Sequence, residues 1–230
     1  MSASPCTPAD SALLIIDMIS DWRFEDADKL LPRACEMADA IATLKQRCKK
    51  AGMAVIYAND NHGHWRSDFQ ACVREAEESH EAAAYIGRRL KPEEDDYLIL
   101  KPKHSAFLAT PLHIVLSHLQ VKKLLITGVT TDQCVLITAA EAKMNDFEVW
   151  CPSDCVATLS DVRQRRTLDH MEEVLKLHTE ASATLVLPLG TGGGAVLGPM
   201  GSPQEAMAPG DQAPEGAPGT GEAPCPRCGA

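Results

Sequence analysis

Residues 123–140 have the sequence KLLITGVTTDQCVLITAA, and this stretch decides the fold class. An apolar run of strand length ends at Gly128, a short polar turn follows, and an apolar helical pattern begins near Cys134. Parallel strands need a long crossover between them, and that crossover is usually a helix. The stretch therefore predicts one strand–helix unit of an α/β protein.

The same unit recurs along the chain, because apolar runs of strand length alternate with helical patterns. The predicted strands are Ala12–Asp17, Met53–Asn59, Tyr97–Lys101, Lys123–Gly128, Phe147–Cys151 and Ala183–Leu187. Several runs are apolar on both faces, as strands covered by helices on both sides should be. We therefore predict an α/β fold, a three-layer α/β/α sandwich around a six-stranded parallel sheet.

The composition is that of a globular protein with an acidic balance. Of 230 residues, 22 are Lys or Arg and 32 are Asp or Glu, which gives a formal net charge of −10. This balance argues against sequence-independent binding to nucleic acid or anionic membranes, and no apolar run approaches the ~20 residues that span a bilayer. The N-terminal residues lack a secretory-signal pattern, and the odd count of nine cysteines favours free thiols in a reducing compartment. We expect a cytoplasmic protein with no nucleic-acid or membrane partner.

Residues 188–230 differ in composition from the rest of the chain, since they hold 11 of the 15 glycines and 8 of the 15 prolines. Such a segment cannot bury enough apolar surface to offset its ordering entropy. We therefore predict a folded domain over residues 1–187 and a disordered tail over residues 188–230. Near its end the tail contains CPRC, whose Cys225 and Cys228 have C-x-x-C spacing but no βαβ context. Two cysteines are only half a structural zinc site.

Three reactive residue types follow different predicted strands. Asp17 ends the first run, Lys101 ends the third, and Cys134 begins the helix after the fourth. Ligands of such folds bind beyond the carboxyl ends of the strands, so these side chains are expected to converge as a proton acceptor, a charge stabiliser and a nucleophile. A helix N-terminus lowers the pKa of a thiol, which favours Cys134 as a thiolate.

Each of the three residues also has a purely structural interpretation. Asp17 would then cap a loop, Lys101 would be a solvated lysine with Lys103 as the competing candidate, and Cys134 would be a small buried apolar side chain. Convergence of all three in space is what separates the two interpretations.

The segments ALLIIDM with Asp17, LKPKHSAFLATPL with Lys101 and TGVTTDQCVLITA with Cys134 resemble the isochorismatase-like cysteine hydrolases, a superfamily that includes nicotinamidases and N-carbamoylsarcosine amidase. The resemblance covers roughly residues 10–187. It implies a Rossmann-like strand order 3-2-1-4-5-6 and a catalytic triad of Asp17, Lys101 and Cys134. It also implies a cis peptide at Val129–Thr130 and an oxyanion hole formed by the backbone N–H groups of Thr130 and Cys134.

The resemblance further implies hydrolysis of a C–N bond in a small amide or ureide, since isochorismatases that cleave a vinyl ether lack the cysteine. Nicotinamidases bind a metal after the second strand, where this chain has YANDNHGHWRSDF. Asp60, His62 and His64 supply ligand types for Zn²⁺ or Fe²⁺, but their spacing matches that pattern poorly. We expect no metal and no other cofactor. We expect Asp60, His62, Trp65 and Arg66 to contact substrate, with hydrogen bonds within the loop as the alternative. Arg66 suits a carboxylate or ureido group, and an exposed ion pair is its other interpretation.

Two other classes of function stay open from the sequence. One is a catalytically silent binding or regulatory protein that keeps the fold, and the other is a thiol redox protein. Because members of the resembled superfamily commonly form dimers or tetramers, we also expect a homo-oligomer.

Overall fold

The computed structural model describes residues 10–61 and 68–189. The predicted tail therefore lies outside the described residues except for Pro188 and Leu189. Leu189 is buried, and its carbonyl accepts a hydrogen bond from Lys123 Nζ at 3.0 Å.

The described chain alternates between strands and helices, as the pattern of apolar runs predicts. The strands are β1 Ser11–Ile16, β2 Ala54–Asp60, β3 Tyr97–Lys101, β4 Lys123–Val129, β5 Glu148–Trp150 and β6 Val156–Ala157. The helices are α1 Ala27–Lys50, α2 Phe69–Glu77, α3 Glu81–Arg89, α4 Leu112–His118, α5 Leu136–Met144 and α6 Asp161–Glu173. A turn of π-helix, Thr131–Val135, joins β4 to α5.

The six strands form one parallel sheet with helices on both faces, which confirms the predicted fold class. Five strands run in the order β3-β2-β1-β4-β5. Alternate residues of β1 face opposite layers: Leu13 and Ile15 belong to the core with α1, α2 and α3, whereas Leu14 and Ile16 belong to the core with α4 and α5.

The sixth strand is not where the sequence placed it. Residues 183–187 contain no strand, and Ser182–Thr184 form a 3-10 turn. The sixth strand is Val156–Ala157, which extends the sheet beside the end of β4 rather than beyond β5. Side chains bind backbone groups in this segment and just before it instead: Arg47 donates to the carbonyls of Ser182 and Leu185, and Asp154 accepts from the Ser182 N–H.

The centre of the sheet is closely packed where β1 and β4 end. Gly128 has φ +112°, and a Cβ at this position would lie 2.0 Å from the carbonyl oxygen of Ile16. Only glycine fits both the backbone conformation and this approach. The chain therefore leaves β4 close to the end of β1, and this brings the residues after both strands together.

Within the described residues, no helix combines the length and apolar composition that crossing a bilayer requires. All six cysteines in this part of the chain are free thiols, as the odd cysteine count predicts.

Candidate active site

Asp17, Lys101 and Cys134 meet at the carboxyl edge of the sheet. Lys101 Nζ lies 2.9 Å from Asp17 Oδ2 and 3.4 Å from Cys134 Sγ. The lysine side chain is fully buried, so its ammonium is held between the carboxylate and the sulfur. The structure thus brings together the three strand-end residues that the sequence singled out.

The backbone holds Asp17 in a restricted conformation between the first two strands. Its φ is +55°, which is uncommon for a residue with a side chain. Its N–H donates to the carbonyl of Ala58 at 3.0 Å, and its Oδ1 accepts from the Asp60 N–H at 2.7 Å. With Oδ1 bound to the backbone of β2 and Oδ2 to Lys101, the carboxylate has a fixed orientation.

Lys101 is charged despite its burial. Burial acts to lower the pKa of the ammonium, but the charge of Asp17 and its hydrogen bond to Lys101 act in the other direction, as do interactions with Cys134 and Asp60. The net effect is a pKa above the ordinary value for lysine. The buried ammonium is therefore a permanent positive charge beside the sulfur.

The turn that carries Cys134 is fastened to the neighbouring β6 and α6 region. The Val129–Thr130 peptide is cis, as expected from the resemblance. Thr131 Oγ1 donates to Gln164 Oε1 at 2.7 Å, and Asp132 accepts from Thr158 Oγ1 and from the Arg163 guanidinium. These contacts fix the position of the sulfur relative to the sheet.

The predicted lowering of the Cys134 pKa is wrong for the resting site. Burial, followed by the charge of Asp17, raises the pKa of the thiol to about 12, and Lys101 acts in the opposite direction. Cys134 is only 8% exposed and lies in the π-helical turn before α5, and its loss of hydration is the largest cause of the raised pKa. At neutral pH the sulfur carries its proton, and a base is needed to remove it.

Lys101→Met is expected to slow carbamidomethylation of Cys134 by iodoacetamide at least about tenfold at pH 8, since only the thiolate reacts. Lys101 lowers the thiol pKa, so its loss raises the pKa further and reduces the thiolate fraction. The rate is measured by mass spectrometry of the peptide that contains Cys134.

Lys103→Met is the matched control, because Lys103 is exposed and only its backbone carbonyl contacts Lys101. Its rate should stay within about twofold of wild type. Equal slowing in both variants would contradict a specific role for Lys101.

A cavity of about 180 Å³ opens beside these groups. The residues that line it are Asp17, Ser20, Phe24, Leu30, Asn59, Asp60, His104, Val129, Thr130, Gln133 and Cys134. Two of its lining residues each have a buried side-chain oxygen, Asn59 Oδ1 and Thr130 Oγ1, that lacks a hydrogen-bond partner within the described chain. Buried polar atoms are normally paired, so these two oxygens are exceptions among the residues that line the cavity.

His104 contacts the sulfur of Cys134, and the sequence analysis did not single it out. Its Nδ1 lies 3.4 Å from Cys134 Sγ, and its side chain lines the cavity. The only signal in the sequence is its place in the KPKHSAF segment, three residues after Lys101.

Of the residues predicted to contact substrate, the structure places Asp60 on the cavity wall, with Oδ2 at 3.6 Å from Lys101 Nζ. His62, His64, Trp65 and Arg66 lie outside the described residues. Within the described residues, 10–61 and 68–189, no group of three or more His, Cys, Asp or Glu side chains is arranged to hold a metal ion.

Comparison with known proteins identifies the family. The model of the isochorismatase domain matches residues 11–182, which include all three strand-end residues. The chain belongs to the isochorismatase family.

Individual relatives in this family differ in what their names say of activity. The chain is 37% identical over 167 residues to YaaI, an uncharacterized isochorismatase family protein of Bacillus subtilis, covering 73% of this chain and 91% of the relative. It is 30% identical over 147 residues to a probable inactive nicotinamidase of Arabidopsis thaliana, covering 60% and 75%. The crystal structure of a pyrazinamidase/nicotinamidase from Streptococcus mutans superposes with a TM-score of 0.59 at 26% identity, covering 74% of this chain and 99% of that one.

Proposed function

We propose that this isochorismatase-family member hydrolyses a C–N bond of a small amide or ureide through a thioester on Cys134. The observation that carries the proposal is the placement of Lys101 Nζ, 2.9 Å from Asp17 and 3.4 Å from the sulfur, beside a cavity of small-molecule size. Acyl transfer needs a nucleophile, a base and a stabiliser of negative charge, and these three side chains supply them.

In the first step Asp17 takes the proton of the Cys134 thiol, and the sulfur attacks the carbonyl carbon. The negative charge that develops on the carbonyl oxygen is accepted by the backbone N–H groups of Thr130 and Cys134, and one such donor is typically worth about 3–4 kcal/mol in the transition state. Asp17 then gives its proton to the departing nitrogen as the C–N bond breaks. The products of this step are ammonia or an amine and a thioester.

In the second step water hydrolyses the thioester. Asp17, again a carboxylate, accepts a proton from the attacking water, and the C–S bond breaks. The proton returns to the sulfur, the acid product leaves, and the site regains its resting state. Lys101 keeps its charge throughout and offsets the thiolate and the carboxylate in turn.

The cavity wall favours a polar substrate. The cavity is lined by polar residues that include Ser20, Asn59 and Gln133, and such residues suit a ligand that carries N–H or O–H donors. Primary amides and ureides both carry such donors. Phe24, Leu30 and Val129 supply apolar contacts for the rest of a small molecule.

The test is a screen of primary amides, carbamoyl compounds and ureides for release of ammonia or amine by the purified full chain. At least one compound is expected to be turned over, and acid quenching during turnover should trap an acyl group on the peptide that contains Cys134. Metal analysis of the same preparation tests the expectation that the protein binds no divalent cation.

The second candidate is a silent member that binds a small molecule without hydrolysing it. This candidate is considered because a relative with 30% identity is named as a probable inactive nicotinamidase. Compounds that raise the melting temperature but yield neither product nor an acyl group on Cys134 would support this alternative and contradict hydrolysis.

A further inference from the structure

The side chain of His104 contacts the sulfur of Cys134, the proposed nucleophile. Its Nδ1 lies 3.4 Å from Cys134 Sγ, and the rest of the side chain reaches solvent. The imidazole is therefore a second polar contact of the sulfur besides Lys101.

The segment that carries His104 is anchored on both sides. Lys101 ends β3 and is fully buried, while Ser105 Oγ donates to Glu141 of α5. The Ala106 N–H donates to Thr138 Oγ1, also on α5, at 3.0 Å. With the residues after His104 tied to the helix that follows Cys134, the ring is held beside the sulfur.

The hydrogen-bond count of Lys101 shows why a second donor matters. A lysine ammonium has three N–H donors. Four acceptors lie within 3.6 Å of Lys101 Nζ: one oxygen each of Asp17, Asp60 and Lys103, and the sulfur of Cys134. The ammonium cannot serve all four at once, so the sulfur competes with three oxygens for its protons.

We propose that His104 is a further catalytic residue, which donates a hydrogen bond from Nδ1 to the sulfur of Cys134 while that sulfur is a thiolate. This inference rests on the proposed function. The thiol proton still moves to Asp17, and His104 keeps its own proton, so the proton balance of both steps is unchanged. The bond forms as the thiol ionises and again as the thiolate leaves the carbonyl carbon.

The test compares three variants that keep or remove a donor at the Nδ1 position. His104→Phe keeps a ring and removes the donor, His104→Asn places an amide N–H near the Nδ1 position, and His104→Gln places its amide one bond further out. The charged groups around the sulfur, which are Asp17, Asp60 and Lys101, are the same in all three. The measurement is the rate at which iodoacetamide carbamidomethylates the peptide containing Cys134 across pH 6–10.

His104→Phe should slow alkylation about tenfold at neutral pH and move the profile about one unit to higher pH, because a hydrogen bond to a charged group is lost. His104→Asn should recover most of the wild-type rate, and His104→Gln should resemble His104→Phe. Wild-type rates in His104→Phe, or no recovery in His104→Asn relative to His104→Gln, would overturn the proposal. The Asn and Gln pair alone decides the question should the Phe variant fail to fold.

Alkylation needs no substrate, so this test separates the two proposals. If no amide or ureide is hydrolysed but the His104 profiles shift as expected, the hydrogen bond stands and the proposed reaction fails. If a substrate is hydrolysed and the profiles do not shift, the reaction stands and His104 is only part of the cavity wall.

Discussion

Cys134→Ala is expected to lower the hydrolysis rate of any substrate found in the screen by at least about 10³-fold, to the level of the buffer blank. The variant removes the only sulfur on the cavity wall within the described residues, and without it no thioester forms. The fold should persist, because the substitution shortens a side chain at the cavity surface. The measurement is the initial rate of ammonia release, with thermal unfolding as the check on folding.

Cys35→Ala is the matched control, since Cys35 lies in α1, away from the cavity, with its thiol near the Ala82 carbonyl. Its rate should stay within about twofold of wild type. Residues that act as one unit are not additive, so Asp17→Asn combined with Cys134→Ala should be no slower than Cys134→Ala alone. Hydrolysis that survives Cys134→Ala would mean that another nucleophile, or a water, performs the reaction.

The ends of the strands that form the site were predictable because a run of apolar residues marks each strand in the sequence. Long apolar runs in β1, β3 and β4 fix where each strand stops, and parallel strands end at the same edge of a sheet. Asp17 and Lys101 could therefore be placed at one edge before any contact was known. The contacts of Lys101 Nζ, at 2.9 Å from Asp17 and 3.4 Å from Cys134, are consistent with that common edge.

The error in the sixth strand has a physical cause that no local pattern contains. The run Ala183–Leu187 is as apolar as a strand, but Arg47 from α1 takes two carbonyls of this region, at Ser182 and Leu185. A backbone carbonyl that accepts a hydrogen bond from a side chain is less available to pair with a neighbouring strand. The arginine lies more than 130 residues earlier in the chain, so periodicity cannot reveal the contact.

The thiol pKa and the role of His104 were missed for a related reason. A helix N-terminus can be inferred from sequence, but the degree of burial that opposes it depends on how the layers close. Likewise, the approach of His104 to the sulfur depends on the path of the segment after β3, which α5 fixes through Glu141 and Thr138. Both are tertiary effects.

Asp96→Ala is expected to lower the free energy of unfolding by about 3–5 kcal/mol, the usual cost of leaving a buried charge without its partner. The Asp96 carboxylate is 1% exposed and lies 2.7 Å from Lys45 Nζ. The Lys45 side chain is itself 6% exposed, and its Nζ lies 5.2 Å from the centre of the Tyr57 ring. The carboxylate also lies 2.8 Å from Lys49 Nζ. Removing it leaves the Lys45 ammonium buried, and among the described residues only the more exposed Glu93 is then a charged partner. Urea unfolding, monitored by circular dichroism, measures the loss.

Asp95→Ala is the neighbouring control, because Asp95 pairs with Lys49 at 2.6 Å but is 79% exposed. Exposed pairs contribute about 0–1 kcal/mol, so this variant should unfold close to the wild-type urea midpoint. Lys45→Met added to Asp96→Ala should recover part of the stability, since the double variant no longer buries an ammonium that lacks its Asp96 partner. Equal losses for Asp95→Ala and Asp96→Ala would show that this cluster acts through long-range charge. A double variant less stable than Asp96→Ala would show that Lys45 contributes packing rather than a charge that needs a partner.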